Sequence, residues 1–217
     1  MAAWTYNTAN FLFRPIFRTA LDLQITDLDR LPSSGPVIIA INHTSFVDPL
    51  LLGAFAPRPI VMMSKVENFQ IPILGFFIRL YGAFPVRRGM ADRDALETAL
   101  RVLREGRVLL MAPEGTRSKD GALQQGRDGV AMLAARTGAP VIPVAIAGAH
   151  RVARNLKRLR RTPISLRLGS ALRLEGDGRI GRESMSAFTE QLMRALAAML
   201  PPEQRGAYVE RVVSAVG

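Results

Sequence analysis

The chain of 217 residues contains no cysteine and only two histidines. Without thiols it can form no disulfide, no thiolate nucleophile and no zinc–thiolate centre, which fits a reducing compartment. Proton transfer near neutral pH is left to His43 and His150, the side chains whose ordinary pKa lies there. Acidic residues are also few, 18 against 29 lysines and arginines, for a net charge of +11. That surplus favours an anionic partner: membrane headgroups, nucleic acid or a phosphorylated substrate. With two histidines and no dense acidic cluster, metal-dependent phosphoester hydrolysis is poorly supported and no metal site is expected.

Long uncharged apolar runs are missing too. The nearest approach, residues 69–86, is interrupted by Pro72, Arg79 and Pro85, so it is not read as a span. It reads either as a surface that meets lipid or as a buried helix-turn-strand segment. No signal peptide is expected, because the first apolar stretch lacks a basic leader and is broken by Arg14, Pro15 and Arg18. No linker, repeat or low-complexity tract divides the chain, and no Gly-x-Ser-x-Gly elbow marks a serine hydrolase. The glycines of residues 176–181 have dinucleotide-binding spacing but fall late, in a polar stretch, and read as a turn.

Short apolar runs at 37–41, 60–63, 83–86, 108–111, 141–146 and 164–168 read as buried strands. Between them, Leu96, Leu100 and Leu103 recur at helical spacing from Asp92 to Glu105, and residues 130–136 read as a helix ended by Gly138. Met185, Phe188, Leu192, Leu196 and Met199 mark one face of a later helix that Pro201 and Pro202 stop. The alternation predicts an α/β fold, a mostly parallel sheet flanked by helices. Residues 1–30 mix Trp4, Tyr6, Phe11, Phe13 and Phe17 with Arg14 and Arg18, the composition of a membrane-associated amphipathic helical segment ahead of the α/β domain of residues 31–217.

Three polar clusters follow predicted strands, at the sheet edge where open α/β folds bind ligands. In the first, Asp48 lies five residues after His43, across a turn. The carboxylate can hold one imidazole nitrogen and leave the other for a substrate hydroxyl, or Asp48 can cap the helix begun by Pro49, or both. In the second, Glu114, Gly115, Thr116 and Arg117 combine a close-approach glycine, hydrogen-bond donors and a bidentate guanidinium, a set suited to phosphate. The third contains Arg87 and Arg88, which strand alternation puts on opposite faces. Lys65, after the strand at 60–63, is a further candidate cation for the phosphate, with a solvated surface lysine as its alternative.

The order and spacing of these clusters, followed by Val141-Ile142-Pro143-Val144, resemble the four blocks of the glycerolipid acyltransferases, closest to bacterial 1-acylglycerol-3-phosphate (lysophosphatidic acid) acyltransferases. The resemblance runs from about Pro36 to Ala147. It implies that His43 removes the acceptor hydroxyl proton and Asp48 orients it. It also implies that Glu114, Gly115, Thr116 and Arg117 form the acceptor-binding block and that Arg88 is the arginine of the second block. Pro85 and Ala112 depart from residues frequent in the family at those positions. The implied reaction moves a fatty acyl group from acyl-CoA or acyl carrier protein to lysophosphatidic acid, with no resident cofactor. Another lysolipid, such as a lyso-ornithine lipid, or glycerol 3-phosphate is the alternative acceptor.

The tract Arg151, Arg154, Lys157, Arg158, Arg160 and Arg161 lies in a stretch without acid from Gly129 to Leu174. As a helix it would gather Arg151, Arg154, Arg158 and Arg161 opposite Val152, Leu156 and Leu159, suited to anionic lipid; a solvated face is the alternative. A non-catalytic protein holding nucleic acid would explain the charge but not His43, Asp48 and residues 114–117, and few aromatics accompany the tract for base stacking. The expectation is therefore a protein on the cytoplasmic face of the membrane, peripheral or monotopic, with membrane lipid, lysophospholipid and acyl donor as partners and no nucleic acid.

Overall fold

A computed structural model describes residues 3–87, 89, 90, 92–175 and 180–209. Its strands are β1 (Leu21–Thr26), β2 (Val37–Ile41), β3 (Ile60–Lys65), β4 (Phe84–Val86), β5 (Val108–Met111), β6 (Val141–Ala147) and β7 (Thr162–Leu168). The α-helices are α1 (Ala3–Ala20), α2 (Asp48–Phe55), α3 (Pro72–Leu80), α4 (Arg93–Arg104), α5 (Gly129–Thr137), α6 (Val152–Leu156) and α7 (Arg182–Met199). The strands form one sheet in the order β1-β7-β6-β2-β5-β3-β4. Strands β2 to β6 run parallel; β7 lies antiparallel to β6, and β1 runs with β7.

The apolar runs are continuous because both faces of the sheet are covered. Along β2, Val37, Ile39 and Ile41 enter a core with α1 and α2, while Ile38 and Ala40 enter a second core with α4, α5 and α7. Burying each such branched side chain contributes about 1.5–3 kcal/mol, which makes β2 the anchor of the fold. Helix α2 follows β2 onto one face and α5 follows β5 onto the other, so a crevice opens between the neighbouring C-terminal ends of β2 and β5.

The expected N-terminal helical segment ends at Ala20, and residues 21–26 form an edge strand paired with Thr162–Arg167. Leu21-Asp22-Leu23-Gln24-Ile25-Thr26 alternates with period two, the pattern of a strand with one covered face. Helix α1 buries Tyr6, Ala9, Phe13 and Phe17 and leaves Phe11, Leu12 and Ile16 exposed. Tyr6 Oη donates to Gly53 O at 2.6 Å and Arg14 Nε to Ala54 O at 2.6 Å, satisfying carbonyls of the last turn of α2. Burial pushes the Tyr6 hydroxyl up to about 12, so it remains a donor. Side-chain placement of Trp4 lies outside the described residues. No helix among the described residues is long and apolar enough to cross a membrane.

Of the basic tract only Val152–Leu156 is α-helical, so the helical face conceived for Arg151, Arg154, Arg158 and Arg161 does not form. After Leu156 the chain turns, Asn155 O accepts both Arg158 N–H and Arg160 N–H at 2.9 Å, and Leu159 takes a left-handed backbone, φ 51°. Arg161 leaves the imagined basic face altogether: its Nη2 donates to Arg18 O at 3.1 Å and Leu21 O at 2.6 Å. Arg151 ends a 3-10 turn, Arg154 lies on α6, and Lys157, Arg158 and Arg160 lie on the turn that follows, so the cations form no single helical stripe.

Candidate active site

The site is assembled from the residue that ends β2. Asn42 is buried, its Nδ2 donating to Ile146 O at 2.9 Å and its Oδ1 accepting Ile146 N–H at 2.7 Å. This side chain extends the β2–β6 ladder by one rung and fixes where the chain departs from the sheet. His43 follows, with its side chain 13% exposed, and lines the cavity described below.

His43 Nδ1 lies 3.1 Å from Asp48 Oδ2, and Asp48 is 0% exposed. The same oxygen accepts Thr44 N–H at 2.8 Å and Ser45 N–H at 2.7 Å. Those donors precede α2, and no side-chain cap closes that helix, so Asp48 serves the His43 turn and not the helix end. An ionised carboxylate only accepts, so Nδ1 donates and Nε2 is left with its lone pair. An imidazole in that tautomer can take a proton from a hydroxyl.

Glu114 was expected beside the acceptor, but its carboxyl is turned inward and is 2% exposed. Oε1 accepts His43 N–H at 2.8 Å and Oε2 accepts Gln124 N–H at 3.0 Å. Burial raises its pKa, opposed by these two hydrogen bonds. Ser118 N–H also donates to His43 O at 2.8 Å. The loop after β5 therefore holds His43 by both of its peptide groups.

A cavity of about 470 Å³ opens at His43 and Gly115 and runs between Met62, Met63, Leu96, Leu110, Met111 and Met132. Five of its lining residues are methionines, counting Met90, which gives an adaptable apolar wall. Arg87 and Arg127 line it as well. Gly115 has φ 71°, and a Cβ there would stand 3.1 Å from Arg127 Cδ, so the glycine admits both the turn and the arginine. Thr116 and Arg117 are exposed on the same turn.

The expected residues thus divide. His43, Asp48, Glu114 and Gly115 come together, with Thr116 and Arg117 beside them on the loop. Lys65 is exposed, pairs with Glu67 Oε1 at 2.9 Å and is not among the cavity-lining residues. Arg88 lies outside the described residues. Asn42, Arg127 and the positioning contacts of Glu114 were missed; an asparagine closing a wholly apolar strand was the one local signal.

Comparison with known proteins bears on this arrangement. A family model described as Acyltransferase matches residues 22–147, from β1 to the end of β6. A chloroplastic 1-acyl-sn-glycerol-3-phosphate acyltransferase of Brassica napus is 32% identical over 147 residues, 66% of this chain and 41% of that protein. The 1-acyl-sn-glycerol-3-phosphate acyltransferase of Bacillus subtilis is 32% identical over 128 residues, 58% of this chain and 63% of that one. The chain spans less than two thirds of the length of either relative. The crystal structure of the 1-acyl-sn-glycerophosphate (LPA) acyltransferase PlsC from Thermotoga maritima superposes with a TM-score of 0.68 at 25% identity, covering 86% of this chain and 76% of that one.

Proposed function

The chain belongs to the acyltransferase family, and on that premise we propose that it transfers a fatty acyl group from acyl-CoA or acyl carrier protein to the free hydroxyl of lysophosphatidic acid, yielding phosphatidic acid. The observation that carries the reading is the His43–Asp48 pair at the mouth of an apolar cavity flanked by Arg87 and Arg127. The names of the two curated relatives and the solved neighbour support it.

Asp48 keeps the Nδ1 proton of His43 in place, so Nε2 accepts the hydroxyl proton as the oxygen attacks the thioester carbonyl. The tetrahedral intermediate then collapses, the carbon–sulfur bond breaks, and the leaving thiolate regains the proton from the imidazolium. General-base assistance of this kind contributes about 10²- to 10⁴-fold. The acyl chain occupies the methionine-lined cavity, and Arg87, Arg117 and Arg127 receive the phosphate. Arg88 belongs to the same cationic group in this reading, and Lys65 stands outside it because Glu67 engages its ammonium. No resident metal or cofactor enters the proposed steps.

The proposal seats the protein on the cytoplasmic face of the membrane, by the exposed apolar side of α1 and its basic residues. The test is thiol release from acyl-CoA with lysophosphatidic acid as acceptor, with and without chelator. Acceptor-dependent, chelator-insensitive release is expected, and the His43→Ala protein should retain acceptor binding but lose turnover. Near-normal turnover by His43→Ala would sink the mechanism. A panel of lysolipids and glycerol 3-phosphate, read by lipid mass spectrometry, identifies the preferred acceptor.

A further inference from the structure

Leu156, the last residue of α6, is 58% exposed, and Leu159, on the turn that follows, is 95% exposed. An exposed leucine is common, but this one also holds a left-handed backbone that glycine or asparagine would take with less strain. The turn is held in shape: Leu159 N–H donates to Leu156 O at 3.1 Å, and Asn155 O gathers two more N–H groups. Exposed Arg154, Lys157, Arg158 and Arg160 flank the two leucines along the chain, with no acid from Gly129 to Leu174.

Its place in the fold adds to this. Strand β6 runs parallel to β2, so the segment after Ala147 lies at the same end of the sheet as His43. Strand β1 begins at that end too, because Leu21 pairs with Thr162. Arg161 ties the turn to the junction of α1 and β1, through Arg18 O and Leu21 O, and the outer side of α1 exposes Phe11, Leu12 and Ile16.

We propose that the turn at residues 156–160 is a membrane-inserting tip, with Leu156 and Leu159 entering the acyl boundary of an anionic bilayer while the flanking cations meet its headgroups. The chemistry of an interfacial anchor is apolar side chains framed by lysine and arginine, and the turn offers exposed Leu156 and Leu159 beside exposed cations. The inference rests on the membrane-lipid reading above and adds a second membrane contact beside α1, whose core also holds Ala149 and Val152 at the start of this segment. It keeps the crevice at His43 facing the bilayer, where a lysolipid acceptor would enter.

The test uses the full chain and cosedimentation with vesicles of phosphatidylcholine alone or mixed with phosphatidylglycerol. Leu156→Ser with Leu159→Ser should lower partitioning about 10- to 100-fold on the mixed vesicles. Leu159→Gly should lower it about tenfold while Tm holds or rises, since glycine suits φ 51°. Lys157→Glu with Arg158→Glu should weaken binding only to the anionic vesicles, by about tenfold or more. Acyl transfer to a water-soluble short-chain lysophosphatidic acid should stay within about twofold in all of them, since none touches the crevice. Unchanged partitioning of the leucine variants overturns the tip. So does vesicle binding that survives charge reversal while binding to an acyl carrier protein is lost. Absence of acyl transfer in the unaltered chain would refute the enzymatic reading alone, leaving the vesicle comparison to judge the tip.

Discussion

On one side of the crevice, His43, Asp48 and Glu114 turn their polar atoms into one another and into backbone amides, and the two carboxylates are almost wholly buried. By contrast, Arg87 and Arg127, which line the cavity, and Arg117 on the loop after β5 are exposed and have no ion-pair partner among the described residues. Proton transfer demands fixed geometry to a fraction of an ångström, and the side proposed to perform it is over-determined by hydrogen bonds. The phosphate capture proposed for these long, solvated arginines tolerates movement. The contrast implies that substitutions on the buried side change turnover and stability together, whereas substitutions on the exposed side change acceptor affinity alone.

Asp48 offers the sharpest way to break this. Asp48→Ala removes the acceptor of two backbone N–H groups and of His43, and should lower kcat by about 10³-fold or more. Each orphaned buried donor costs about 1–3 kcal/mol, so Tm should fall by several degrees in a calorimetric scan. Asp48→Asn should lower Tm less than Asp48→Ala, because the amides of Thr44 and Ser45 still hold its side-chain oxygen toward His43, while its amide nitrogen replaces Oδ1, which is buried without a partner. Only the charge facing the imidazolium is lost, and a smaller drop in kcat, about 10- to 10²-fold, is expected. Equal losses in both variants would refute the idea that the backbone sets the orientation.

Glu114→Gln sharpens the buried side through pH. Burial raises the Glu114 pKa above its usual 4.5, so between the unfolded and folded values the native state binds more protons than the unfolded chain. Stability from this group is therefore greatest below the ordinary carboxylate range and falls as pH rises through it. Glutamine cannot titrate. The Tm advantage of the unaltered protein over Glu114→Gln should shrink from pH 4 towards pH 7, in about that range. A constant difference across those scans would remove the carboxylate from the argument. At pH 7, Glu114→Gln should lower kcat about tenfold with little change in KM, because His43 loses part of its support.

The exposed side should respond differently. Arg117→Ala should raise KM for lysophosphatidic acid about 10-fold, with kcat and Tm nearly unchanged, in initial-rate measurements. A kcat loss larger than the KM change would mean that the arginine belongs to the proton-transfer machinery. Lys65→Ala should have the smallest effect, within about twofold, since an exposed pair with Glu67 contributes about 0–1 kcal/mol.

Both regions differ in how far they could be read from the residues. The runs at 37–41 and 108–111 became β2 and β5 over the same residues, because burial on both faces leaves an unmistakable apolar stretch. The run at 141–146 extended only to Ala147, and Gly138 ended α5 in a left-handed cap as its position predicted. Residues 21–26 were absorbed into an expected helical segment because six residues with one covered face carry a weak alternating signal. The basic tract looked helical by spacing, yet spacing cannot register a single left-handed residue such as Leu159.

The sequence by itself determined the buried central strands, the proximity of His43 and Asp48 across one turn, and the cationic glycine loop, because all three depend on neighbours within a few residues. Only the tertiary structure decided that Asp48 serves the His43 turn and not the helix end, and that Glu114 supports His43 instead of reaching outward. It alone brought Asn42 to Ile146 and Arg127 to Gly115. Glu114 and His43 are 71 positions apart, and Asn42 and Ile146 are 104 apart. Contacts at such separation follow from strand order, which places β2 between β5 and β6, and no local pattern of residues encodes that order.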